Sequence, residues 1–201
     1  MKITAIKQQV KQQGRYSIFV EGKYSFSLSE AALLESKIVS GQELSAQQVK
    51  DFKKLSGDDK LYNQTLRYAA MRARSTWEIE QYLQRKKADS LLSQQIVNKL
   101  SNLQLIDDAA FAQTWIASRR LLKPTSRRRL LQELRAKHVP DDIAETVLAE
   151  DETDEQTTLR ELIDKKRRQT KYQDVTKLMQ FLARQGFNYD DIKQALSVDE
   201  D

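Results

Sequence analysis

Leu105-Ile106-Asp107-Asp108-Ala109-Ala110-Phe111-Ala112-Gln113-Thr114-Trp115-Ile116-Ala117-Ser118-Arg119-Arg120 is the stretch from which the fold can be read. Asp107 or Asp108 can cap a helix, accepting hydrogen bonds from free backbone N–H groups and meeting the positive end of the helix dipole. Phe111, Trp115 and Ser118 then share one face, and Arg119 continues it. A cation suits the C-terminal end of such a helix. Leu103, Leu105 and Ile106 stand just before the cap, so one segment finishes as another begins.

Working outward, the same plan recurs at fixed offsets. At an offset of 51 residues, Ser75, Ile79, Leu83, Leu92 and Ile96 map onto Ser126, Leu130, Leu134, Ile143 and Val147. At an offset of 48, Phe111, Trp115, Arg119, Ser126, Leu130 and Leu134 map onto Leu159, Ile163, Arg167, Asp174, Leu178 and Leu182. Each position keeps its character as cap, apolar residue or arginine. One residue is gained in the third turn, so that Ile192 matches Ile143. The pattern predicts a mainly α protein of tandem three-helix repeats at 60–104, 105–150 and 153–198. Three short helices make a small core, so each repeat must lean on its neighbour in an elongated, curved body.

The N-terminal stretch, 1–55, has a different period. Arg15–Val20 is rich in aromatic and β-branched residues, and Tyr24, Phe26 and Leu28 alternate with serines. Glu21-Gly22 supplies a tight turn. These residues predict a β-hairpin, extended to three strands by Ile3–Val10. Short helices at Ser29–Ser36, with Leu33 and Leu34 as its apolar side, and at Ser45–Lys54, with Val49 and Phe52 inward, are expected to cover it. Ser56-Gly57-Asp58-Asp59 is expected to break the chain, with Asp58 or Asp59 capping the helix that follows. Ser75-Thr76-Trp77-Glu78 has the form of a capping box.

Composition narrows the function classes. Of 201 residues, 31% are charged and 39% hydrophobic, with no cysteine. No apolar run is long enough for a membrane span, and the polar N-terminus is unlike a secretory signal. A disulfide framework and a thiolate metal site are excluded. The expectation is a cytoplasmic monomer without cofactor or metal. A net charge of +5 permits a polyanionic partner without requiring one.

An active site is not legible. His138, the one histidine, reads as a surface loop residue beside Pro140, which suits the first turn of the next helix. The pairs Asp58-Asp59, Asp107-Asp108, Asp141-Asp142 and Asp190-Asp191 read as helix starts rather than metal ligands. The basic clusters are more informative. The candidates for contact with a filament or DNA are Arg72 and Arg74; Arg119, Arg120, Lys123, Arg127, Arg128 and Arg129; and Lys165, Lys166, Arg167 and Arg168. They fall mostly between the first and second helix of a repeat. A recurring basic edge matches regularly spaced phosphates or acidic patches. Cations at helix C-termini explain Arg119 and Arg167, but not three arginines at a helix start. Trp77 and Trp115 could stack on bases, though their spacing favours packing between helices.

Ile106-Asp107-Asp108, Phe111-Ala112, Trp115 and Arg119 together resemble the central pattern of the RecX family of bacterial recombinase regulators. Arg74-Ser75 with Glu78 or Glu80 and Leu83, and Glu133-Leu134 followed by Ile143, extend the resemblance. The hairpin with Tyr24, Phe26 and Leu28 is similar to the β extension of RecX proteins from low-GC Gram-positive bacteria. Lys137-His138-Val139 departs from the glycine turn the family often has. The resemblance implies a non-enzymatic regulator that binds the RecA nucleoprotein filament and its single-stranded DNA. It also implies inhibition of RecA's ATPase, strand-exchange and co-protease activities. A basic helical protein that binds DNA by itself, and a purely structural scaffold, are the alternatives.

Overall fold

A computed structural model describes residues 1–197; Val198, where the third repeat was expected to end, lies outside them. Strands β1 (Ile3–Gln8), β2 (Arg15–Val20) and β3 (Lys23–Ser29) form an antiparallel sheet in that order. Glu21 and Gly22 both have positive φ, 49° and 75°, as a tight hairpin turn following the strand twist requires. The helices are α1 (Glu30–Ser36), α2 (Ala46–Ala70), α3 (Thr76–Arg85), α4 (Ser90–Asn102) and α5 (Asp108–Leu122). They continue with α6 (Arg127–Ala136), α7 (Asp141–Ala149), α8 (Glu155–Arg167), α9 (Val175–Arg184) and α10 (Tyr189–Ser197). No helix among the described residues is long and apolar enough to cross a membrane.

The chain divides into two compact bodies. The first comprises Met1–Met71 and Tyr82–Leu100. Its sheet buries Ile3, Ile18, Phe26 and Leu28 against Ala32, Leu44 and Val49, with Phe52 stacked on Phe26. Ser29 caps α1 as expected, but Ala32 is the buried residue and Leu34 faces solvent.

The expected break at Ser56–Asp59 does not occur. One 25-residue helix, α2, runs through it, and the boundary expected between 55 and 60 falls inside that helix. Serine and aspartate disfavour helix interiors because their side chains compete for nearby backbone. Here the Ser56 and Asp59 side chains are occupied by the sheet. Ser56 Oγ donates to Ser27 O at 2.6 Å. Asp59 accepts from Arg15 Nη1 at 2.8 Å, Ser29 N at 2.9 Å and Asn63 Nδ2 at 3.0 Å. Asp59 is therefore a buried anchor between helix and sheet rather than a cap.

The second body comprises Arg72–Gln81 and the chain from Ser101 onward. Helices α5–α7 enclose one core, with Phe111, Leu130, Leu134 and Val147 among its buried residues. Helices α8–α10 enclose another at the matching positions Leu159, Leu178, Leu182 and Leu196. Of the two candidate caps before α5, Asp107 is the N-cap, while Asp108 begins the helix. Pro140 stands at the N-cap of α7, one position earlier than expected.

One junction is built twice. Ser75 Oγ accepts from Glu78 N and donates to Lys137 O at 3.0 Å, at the C-terminus of α6. Ser126 Oγ accepts from Arg129 N and donates to Gln185 O at 2.7 Å, at the C-terminus of α9. The first N–H of each helix is also taken by a carboxylate from the next repeat. Thr76 N donates to Asp108 at 2.8 Å, and Arg127 N donates to Glu155 at 3.1 Å. The residue after each accepting carbonyl is left-handed: His138 at φ 54° and Gly186 at φ 92°. The histidine thus holds the backbone conformation for which a glycine turn is the usual solution.

Candidate functional site

Arginines at a helix start meet the positive end of the dipole, and α6 offsets this locally. The Ser126 hydroxyl and the Glu155 carboxylate occupy its first free N–H groups. Arg127 and Arg128 then project into solvent. Arg129 turns back toward Glu133 at 3.6 Å. Lys123, just after α5, is exposed. Lys123, Arg127 and Arg128 have no carboxylate partner at ion-pair distance among the described residues.

Other candidates hold the fold together. Glu133 gathers Arg119 Nε at 2.7 Å and Trp115 Nε1 at 3.0 Å, and the Arg119 guanidinium lies 4.8 Å from the Trp115 ring centroid. Arg120 binds Asp151 through Nε and Nη2, at 3.0 and 2.6 Å, and also donates to Thr125 O. Arg72 forms a two-pronged pair with Glu78 at 2.9 and 3.1 Å, and Lys137 joins the same carboxylate at 3.2 Å. Arg74 is buried. Lys166 sits over the Tyr172 and Phe181 rings and Arg167 is half-buried, whereas Lys165 and Arg168 are exposed.

The carboxylates respond to these partners. Burial would raise the Glu78 pKa, but hydrogen bonds and charge from Arg72 and Lys137 overcome it and hold the group below its ordinary value. Burial likewise opposes, and Thr153 and Arg120 overcome, the shift that leaves Asp151 low. These arrangements orient helices and offer no nucleophile–base pair. Groups of acidic or histidine side chains able to hold a metal are absent among the described residues.

The free cations have apolar neighbours that helical periodicity did not single out. Leu121 and Leu122 end α5 at 85% and 74% exposure, directly before Lys123. Leu121 falls off the face set by Phe111 and Trp115, whereas Leu122 continues it three turns beyond Phe111. An apolar pair that spans both faces in the last turn is the signal that could have marked them. The face best suited to a partner is therefore Leu121, Leu122, Lys123, Arg127 and Arg128. One face of the Trp77 ring is taken by His138, with centroids 4.2 Å apart.

Three family models match this chain without overlap. They are the Regulatory protein RecX N-terminal domain over residues 1–45, the RecX second three-helix domain over 107–148 and the RecX third three-helix domain over 152–196. The chain belongs to the RecX family. A regulatory protein RecX from Lactobacillus delbrueckii subsp. bulgaricus is 33% identical over 154 residues, 77% of this chain and 56% of that protein. This chain thus spans little more than half the length of that relative. The Bacillus subtilis regulatory protein RecX is 28% identical over 199 residues, 96% of this chain and 75% of that one. A crystal structure of regulatory protein RecX superposes with a TM-score of 0.78 at 24% identity, covering 98% of both chains. The crystal structure of RecX from Lactobacillus salivarius gives 0.61 at 25% identity, covering 70% of this chain and 94% of that one.

Proposed function

We propose that this protein binds the RecA nucleoprotein filament and lowers its recombinase, ATPase and co-protease activities without itself catalysing a reaction. The observation that carries this reading is an exposed basic and apolar face, Leu121 to Arg128, in a chain of the RecX family. Lys165 and Arg168 are a second exposed basic pair, at the end of the first helix of the next repeat. A filament offers the same protomer again and again. Repeats that engage several protomers gain avidity without needing any strong single contact. Lysine and arginine at the rim suit both protein carboxylates and the DNA carried within the filament.

The test is RecA's single-stranded-DNA-dependent ATPase, followed at fixed salt while this protein is titrated in. The expected result is inhibition well below one protein per RecA protomer. Inhibition only near saturation of the DNA, shared by unrelated DNA-dependent ATPases and lost steeply with salt, identifies a protein that competes for DNA by itself. No effect at saturating protein overturns the filament assignment and leaves a scaffold.

A further inference from the structure

The two junctions of the second body are alike in backbone and unlike in filling. In the first, Trp77 is the second residue of α3 and lies flat on His138, 20° from parallel. The residues 51 and 48 positions further on are Arg128 and Gly186. The aromatic pair thus has no counterpart in the second junction, and a groove of about 880 Å³ lies there instead. Leu131, Leu148 and Phe187 supply its apolar lining, and Tyr189, 57% exposed, lies along it. The chain cannot fill this groove from the glycine side. A Cβ on Gly186 would stand 2.5 Å from Ser126 Oγ, on a backbone of φ 92°.

From this comparison we infer that the groove is a receptor slot for an aromatic side chain presented by the protein partner, seated against Arg128 as His138 is seated against Trp77. The inference rests on the filament reading above for the source of that side chain. Its charge favours protein over nucleic acid. Glu145, Glu155 and Asp191 line the groove together with Arg127 and Arg128, so a phosphate chain meets more carboxylates than guanidiniums. A neutral aromatic ring gains the apolar lining and a cation over its face, and buried aromatic anchors carry much of the energy at protein interfaces.

The experiment is to fill the slot from within. R128W places an indole at the position Trp77 holds in the first junction. It is expected to raise the melting temperature and to weaken RecA-filament binding about thirtyfold, the scale of one lost aromatic anchor. R128A removes the charge and leaves the slot open, and its expected loss is about threefold. If R128W does not fold, A183W fills the same groove from α9 and takes its place. Wild-type affinity in the filled variant, or an equal loss in R128A, overturns the slot. A wild-type protein that does not bind the filament overturns the reading beneath it instead. The slot is then decided by titrating N-acetyl-tryptophanamide. Amide shifts at Gly186 and Phe187 that vanish in the filled variant sustain it, and their absence up to the solubility limit of the probe overturns it.

Discussion

Glu78 concentrates several roles in one carboxylate. Its backbone N–H is capped by Ser75, and its oxygens hold Arg72 and Lys137. The folded protein keeps this group, and Asp151, more acidic than the unfolded values of 4.5 and 3.8. A depressed folded pKa stabilises the fold above the unfolded pKa, and that stabilisation is lost as pH falls through the folded pKa. The urea midpoint is therefore expected to fall on acidification below about pH 4.5, after a plateau nearer neutrality. Asp58, raised by burial, works in the opposite sense. E78Q is expected to have a lower midpoint than wild type at neutral pH and a shallower decline in acid. Parallel curves for the two proteins would remove Glu78 from the account. Asp59 shows the limits of reading single residues. The sequence offers it as one of two caps after a chain break, because the Arg15 that satisfies it lies 44 residues away, in the sheet.

At the scale of elements, the two glycines in helical surroundings should respond oppositely to alanine. Gly57 lies within α2 with open space where a Cβ would go. G57A is expected to stabilise the protein by about 0.5–1 kcal/mol, through helix propensity and a less flexible unfolded chain. G186A forces a left-handed backbone and a clash with Ser126, and a loss of about 1–3 kcal/mol is expected. Differential scanning calorimetry of both variants checks the pair, and equal signs would refute the account. The same contrast explains what was legible. The hairpin, the helix starts at Ser29, Asp107, Ser126 and Asp174, and the paired cores follow from local patterns of period and cap. The continuous α2 does not, since tertiary bonds to Ser27, Ser29 and Arg15 override the local preferences. The candidate site was partly legible. Twelve basic residues could be marked from the sequence, but folding directs Arg72, Arg119, Arg120 and Arg129 into ion pairs. Charge type is written in the sequence, whereas the partner across the fold is not.

For the whole molecule, binding should depend on the cations that the fold leaves free. Reversing Arg127 and Arg128 together to glutamate is expected to weaken filament binding about tenfold while leaving the helical circular dichroism unchanged. R119E, by contrast, is expected to lower thermal stability, because it sets two carboxylates together at Glu133. Equal filament affinity for wild type and the double reversal would move the contact face elsewhere. The doubled junction carries a further consequence for how such a chain can change length. Helices α3, α6 and α9 each have ten residues, whereas the first helices of the repeats have 25, 15 and 13. The far end of α6 must present a carbonyl to Ser75 while its near end presents a hydroxyl to Gln185. One added residue turns that carbonyl through about 100° and carries it about 1.5 Å along the axis, out of reach of its serine. The second helix is therefore a gauge block: insertions can accumulate in the first helices and the connections, but the spacing from one repeat to the next is cut to a fixed length.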